Sequence, residues 1–256
     1  MKTVKVKDIV IGEGQPKVVV PMVGKTETEL LLEAESLSSS ICDLVEWRVD
    51  HFNQVRDFQL VARLSKKISE ILKEKPLLFT FRSKKEGGEV DFSATDYFEL
   101  YRNVIEAGWV DLLDVELFMP EKEVNEMIAI AHEKGIKIVM CNHDFEKTPS
   151  QQELVSRLCR MQEKKADICK IAVMPKDSKD VLTLLDATNE MQKKYGNRPM
   201  VTISMGKLGM ISRVSGEIFG SAMTFGSAER ASAPGQIPIS ELKNILNQLS
   251  IEQVSE

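Results

Sequence analysis

Short apolar runs and longer amphipathic stretches alternate along the chain. Runs rich in Val, Ile, Leu and Phe begin at residues 17 (KVVVPMV), 41 (ICDLVEWRV), 76 (PLLFTFR), 110 (VDLLDVELF), 136 (IKIVMCNH), 167 (DICKIAVM), 199 (PMVTISM) and 221 (SAMTFGS). Between most of them lie stretches such as TETELLLEAESLSS from 26 and SQQELVSRLCRMQEKK from 150, whose apolar residues recur at helical spacing. Repeated strand–helix alternation predicts a parallel α/β protein. Eight strands in 256 residues match a (β/α)8 TIM barrel, forming a single domain over 1–256. An open doubly wound sheet would carry a Gly-rich phosphate loop after its first strand, and neither GxGxxG nor GxxxxGK[ST] follows VVVPMVG. The segment VKVKDIVIGEG, within residues 1–16, predicts an extra β-hairpin across the N-terminal end of the barrel.

Period-two alternation then sorts the side chains. Val45, Trp47 and Val49 share one face of their strand, and Glu46, Arg48 and Asp50 the other. Phe79 and Phe81 oppose Thr80 and Arg82; Leu113, Val115 and Leu117 oppose Leu112, Asp114 and Glu116; Cys169, Ile171 and Val173 oppose Ile168, Lys170 and Ala172. The apolar faces must meet the helices that cover a parallel sheet, so the other faces line the barrel. Glu46, Arg48, Arg82, Asp114, Glu116 and Lys170 therefore converge near the C-terminal strand ends, where barrel active sites form. One Arg–carboxylate pair there is explained equally well by structural ion pairing. Six groups with a lysine among apolar neighbours favour a site.

Net charge and cysteines narrow the function class. A net charge of −5 provides no strong field to recruit nucleic acid or an anionic membrane. No apolar run approaches the roughly 20 residues that cross a bilayer. MKTVKVKDIVIGEG lacks the apolar core of a signal peptide, and cytoplasmic residence is expected. Cys42, Cys141, Cys159 and Cys169 have no CxxC spacing, so neither a metal site nor a disulfide framework is expected.

The candidate chemistry centres on Lys170. Burial disfavours an ammonium ion, and a neutral amine attacks carbonyls to form Schiff bases. A lysine that snorkels outward or pairs for packing alone is the alternative. His143 ends the neighbouring strand in IVMCNHDF and places an acid–base group beside it, whereas His51 and His132 read as surface or capping residues. In RSKKEGGEVDF, Glu86 or Glu89 belongs to an ordinary solvated loop, or Glu86 reaches back to orient the imidazole. Arg213, in SMGKLGMISR, suits a phosphate or a carboxylate. SAERASAPGQIP, 227–238, is small, polar and contains Pro-Gly, and reads as a mobile active-site lid loop.

These motifs resemble a known family. EWRVD at 46–50, FTFRSKKEGGE at 79–89, NHDFEKTP at 142–149, KIAVMP at 170–175, the SRVSGE stretch with Arg213, and SAPGQ at 232–236 are similar to type I 3-dehydroquinate dehydratase. The resemblance runs from the hairpin to the last helix and departs at Cys141, where serine is common, and at Pro21, where some members carry serine. It implies that Lys170 condenses with the C3 ketone of 3-dehydroquinate, that His143 is the acid–base group, and that Glu86 positions His143. It implies that Arg213 holds the substrate carboxylate, while Glu46, Arg48, Arg82, Ser232 and Gln236 bind its hydroxyls. No metal or organic cofactor is implied, and a homodimer is. A class I aldolase, or a non-catalytic barrel binding a small acid, are the rival readings.

Overall fold

The structure, a computed structural model, describes residues 2–228 and 232–251. Along the chain run β1 (Val4–Val6), β2 (Ile9–Ile11), β3 (Lys17–Met22), α1 (Glu27–Ser38), β4 (Leu44–Arg48), α2 (Phe58–Leu72), β5 (Leu77–Thr80), α3 (Ala94–Ala107), β6 (Leu112–Glu116) and α4 (Glu121–Glu133). The second half follows with β7 (Lys137–Asp144), α5 (Gln151–Glu163), β8 (Ile168–Val173), α6 (Ser178–Glu190), β9 (Met200–Ser204), α7 (Ile211–Val214), α8 (Gly216–Phe219), β10 (Met223–Ser227), β11 (Ile237–Pro238) and α9 (Ile239–Gln248).

Helix starts follow their capping chemistry. Thr26, Asp57, Ser93, Ser150 and Asp177 each accept a backbone N–H from the first turn of α1, α2, α3, α5 and α6. Those helices present apolar stripes inward; Val61, Leu64, Ile68 and Leu72 of α2 are all buried.

β3 to β9 pair in sequence order, all parallel, and β10 pairs with β3 (Thr224 opposite Val18). The last seam is thinner. Between β9 and β10 a bridge joins Met200 and Ser221; Ala222 N donates to Met200 O at 2.7 Å and Thr202 N to the Ser221 hydroxyl at 3.1 Å. The sheet thus curls into the expected barrel. β11, α7 and α8 were not predicted. Each is too short to leave a periodic pattern, and α7 and α8 fill the connection that carries Arg213.

Two apolar regions form. The outer one joins helices to outward strand residues such as Val20, Trp47, Phe79, Val115 and Ile171. The inner one fills the N-terminal end of the barrel with Val19, Leu44, Leu78, Leu112, Val139, Ile168 and Val201. The antiparallel β1–β2 hairpin covers that end and adds Val4, Val6 and Ile11 to it. Lys7, in the hairpin turn, donates to Lys73 O at 2.7 Å and Lys75 O at 3.0 Å, which ties the hairpin to the loop before β5.

Candidate active site

The polar groups sort themselves at the other end. Lys170 is only 4 % exposed. Its Nζ stands 3.2 Å from Asp114 Oδ2, 3.8 Å from Glu46 Oε1 and 4.4 Å from the centroid of the Phe225 ring. Glu46 is held in turn by the Thr80 hydroxyl, which donates to Oε1 at 2.8 Å. Asp114 shares its other oxygen, Oδ1, between Arg82 Nη2 (2.8 Å) and the Cys141 thiol (2.9 Å). Burial pushes the Asp114 carboxyl up, but Arg82 and Lys170 outweigh it and hold the group below the usual carboxylate range.

Arg82 is the hub of this network. Nη1 donates to Glu116 Oε1 at 2.9 Å and to Cys141 Sγ at 3.0 Å, and lies 3.8 Å from Glu86 Oε2. Burial alone would weaken this guanidinium's hold on its proton; Asp114, Cys141 and Glu116 reverse that and raise it well above the usual range. Arg48 makes a two-pronged pair with Asp50, Nε to Oδ1 and Nη2 to Oδ2, both 2.8 Å. Asp50 shares Arg48's strand face, the signal that could have named it as Arg48's holder. Asp114 likewise shares a face with Glu116 on β6, yet its place against Lys170 appears only across two strand pairings.

His143, one residue before the end of β7, meets Glu86, which sits on a single 3-10 turn, Lys84–Glu86, after β5. Glu86 Oε2 accepts both the His143 backbone N–H and a contact from Nδ1, each at 2.8 Å. Oε1 accepts from Asn142 Nδ2 at 3.1 Å. The turn is shaped by glycine: a Cβ on Gly88 would stand 1.8 Å from Arg82 O. Glu89, the other candidate in this loop, uses its backbone N–H on Asp50 and contributes no side chain to the pocket lining. Burial and the Glu116 carboxylate push Glu86 up to about 8. Burial, Arg82, Lys170 and Arg48 hold the His143 imidazole well below its usual range, so it is neutral at pH 7.

Arg213 differs from the other two arginines. It is 2 % exposed and, among the described residues, meets no carboxylate: Nη1 donates to Phe225 O (3.4 Å), Nη2 to Pro234 O (2.8 Å), and the buried Nε has no partner there. Burial lowers it to about 10. A buried cation with no counter-charge among the described residues is a ready receptor for an anion. Pro234 O also accepts from Gly206 N at 3.2 Å, which seats residues 232–236 on the barrel. There the Ser232 backbone N–H donates to Gln236 Oε1 (2.7 Å) and Gln236 Nε2 to the Ser232 hydroxyl (3.0 Å). Residues 229–231 of the expected 227–238 lid lie outside the described residues.

All nine expected site residues, Glu46, Arg48, Arg82, Glu86, His143, Lys170, Arg213, Ser232 and Gln236, line one cavity of about 50 Å³. Gly87, Phe145, Ala172, Ile203, Met205 and Phe225 join them, apolar walls that strand alternation leaves indistinguishable from core. Pro21 instead lines a separate groove of about 260 Å³ with Val23, Glu29 and Leu32. His132 and His51, expected as surface or capping residues, sit in the last turns of α4 and of the 3-10 turn Val49–His51. Both are half-buried: His132 Nε2 lies 2.8 Å from Asp167, and His51 Nε2 stands 3.9 Å from Asp50. Among the described residues, Glu86, Cys141 and His143 bring ligand-type atoms within 4.8 Å of one another, but the Arg82 guanidinium already holds the position of a cation there.

Known proteins are similar to this chain over nearly its whole length. Residues 18–253 match the type I 3-dehydroquinase family. A 3-dehydroquinate dehydratase of Enterococcus faecalis is 56 % identical over 246 residues, covering 96 % of this chain and 97 % of the relative. That of Salmonella typhimurium is 50 % identical over 249 residues, covering 97 % and 99 %. A solved type I 3-dehydroquinate dehydratase from Clostridium difficile is 50 % identical, covers 97 % of this chain and 98 % of its own, and superposes with a TM-score of 0.94. A family match over residues 18–253, with dehydratases 50–56 % identical over nearly the whole length, means that the chain belongs to the type I 3-dehydroquinase family.

Proposed function

We propose that the chain dehydrates 3-dehydroquinate to 3-dehydroshikimate through an imine on Lys170, as a step of aromatic amino acid biosynthesis. The observation that carries this reading is the Lys170 amine, buried at the pocket floor between Asp114, Glu46 and the Phe225 face. The Clostridium difficile relative was solved with covalent modified comenic acid, and an adduct in that protein favours an adduct-forming amine here.

The amine adds to the C3 ketone, and loss of water gives the imine. Once protonated, the imine draws electron density from the neighbouring carbon and acidifies its C2 hydrogens. His143 Nε2 takes one of them. The electron pair expels the C1 hydroxyl, which leaves as water with the proton His143 has taken. Hydrolysis of the imine consumes one water and frees Lys170, so the net change is the loss of a single water. The lysine acts as the electron sink, and neither metal nor organic cofactor is required.

Nδ1 of His143 is turned to Glu86, which leaves Nε2 to work. Arg213 takes the substrate carboxylate, which gives it the anionic partner that the described residues do not provide. Glu46, Arg48, Arg82, Ser232 and Gln236 take the hydroxyls. The cavity of about 50 Å³ falls far short of the roughly 300 Å³ at which ligand pockets begin, so the 232–238 segment moves aside to admit substrate. The protein works in the cytoplasm as a homodimer, without nucleic acid or membrane; no helix among the described residues is long and apolar enough to cross a bilayer.

Borohydride reduction in the presence of 3-dehydroquinate tests the imine. The protein mass should rise by one reduced adduct located on Lys170. An unchanged mass with an active enzyme would refute the covalent route.

A further inference from the structure

The Glu86–His143 pair is also held from outside the barrel. On β7, Val139 belongs to the inner apolar region, while Ile138 and Met140 belong to the outer one. Alternation puts His143 with Val139 and Asn142 with the helix side. Glu86 straddles the strand end, with Oε2 on His143 and Oε1 on the Asn142 amide. The other end of that amide, Oδ1, accepts from Arg157 Nη1 at 2.8 Å. Arg157 stands on α5 and is itself fixed: Nε donates to Glu153 Oε1 at 2.7 Å, one turn earlier, and the guanidinium lies 5.5 Å from the centroid of Phe118.

An asparagine amide has a donor end and an acceptor end of nearly equal shape. Turned one way, it offers Glu86 an N–H; turned the other, a carbonyl oxygen, which repels a carboxylate. A guanidinium only donates, so it can pair with the carbonyl end alone. We propose that Arg157 is a positioning residue for the reaction: through Asn142 it keeps an N–H on Glu86, which favours the carboxylate form of Glu86 and, with it, an imidazole proton of His143 on Nδ1. The inference rests on His143 being the base of the proposed function.

The surroundings make that single donor matter. Burial and Glu116, from β6, disfavour charge on Glu86, while Arg82, from the end of β5, favours it. Cys141 and the His143 ring face it from β7, and Lys170 and Arg48 act on the ring. The carboxyl is left near 8, so each hydrogen bond it accepts changes the fraction that is carboxylate at pH 7.

The test compares pH–rate profiles of the wild type, Arg157→Ala, Arg157→Lys and Asn142→Asp, together with ¹⁵N spectra of protein labelled at its three histidines. Arg157→Ala should lower kcat about tenfold at pH 7 with KM within about twofold, and move the acid limb up by about one pH unit, the size of one hydrogen bond to a charged group. The His143 signal should lose part of its Nδ1–H character. Arg157→Lys, which keeps a donor, should recover most of both. Asn142→Asp, which sets a second carboxylate against Glu86, should move the limb further. An Arg157→Ala protein with the wild-type limb and wild-type ¹⁵N signal overturns the proposal. Arg157 is partly exposed on an outer helix, and should Arg157→Ala fail to fold, an unmoved limb in Asn142→Asp overturns it instead. His143→Ala run alongside separates the two ideas. Full turnover there refutes the base, while the ¹⁵N tautomer still reports on Arg157.

Discussion

The two ends of the barrel are built on the same strand faces and do opposite things. Leu44, Leu78, Leu112, Val139 and Ile168 form the lower layer. Two residues further along the same strands come Glu46, Thr80, Asp114, Cys141 and Lys170. A step of about 7 Å thus separates a dry apolar plug from a charged network. The plug gains from every methylene it hides, and a short hairpin with Val4, Val6 and Ile11 is enough to close it. The network gains no such thing: each buried charge needs a partner, and most are doubly bonded, as Asp114 and Arg82 are. Stability therefore resides at one end and reactivity at the other. A barrel can vary its upper layer because the lower one holds the strands in register.

Substitutions at the two ends should separate these roles. The largest effect is expected from Lys170→Ala, which should abolish both turnover and borohydride trapping while the melting temperature stays near that of the wild type. His143→Ala should cost about 10²- to 10⁴-fold in kcat, the range of a lost acid–base group, and still accept the substrate on Lys170. Arg213→Ala should raise KM by about 10- to 150-fold, as expected for a lost charge-assisted bond to a carboxylate. Leu78→Ala, in the plug, should cost about 2–5 kcal/mol of unfolding free energy in urea and leave kcat within about threefold. A Leu78→Ala enzyme that kept its stability but lost its turnover would erase the division between the ends.

The smallest effect tests the charge at the upper end. Glu86 is raised in the folded state, to about 8, above its value in an unfolded chain. The folded protein therefore binds this proton more tightly, so the contribution of Glu86 to stability falls as pH rises from about 4.5 towards 8. Glu86→Gln removes that dependence. Its melting temperature relative to wild type should climb steadily between pH 5 and pH 8 in paired thermal melts. A difference that shrinks with pH would mean that Glu86 is stabilised as an anion.

Much of this was legible along the chain. Alternation of strand and helix patterns is written in local chemistry, and so is the face on which Glu46, Arg48, Arg82 and Lys170 lie. TETELLLEAESLSS and SQQELVSRLCRMQEKK became α1 and α5 with Thr26 and Ser150 as caps. A backbone confined to two soft angles per residue makes such assignments nearly independent of the rest of the molecule. The partnerships were decided elsewhere. Nothing local distinguishes Glu86 from Glu89; the turn at Gly87 and Gly88 lays one across β7 and leaves the other's side chain outside the pocket. Arg48 tied to Asp50, Arg213 with no acid among the described residues, Asp114 between Arg82 and Lys170, and Asn142 between Glu86 and Arg157 depend on strand register and helix docking. Electrostatic pairing acts through a few ångströms of space, between residues as far apart in the chain as Glu46 and Lys170, and only the closed barrel brings them there.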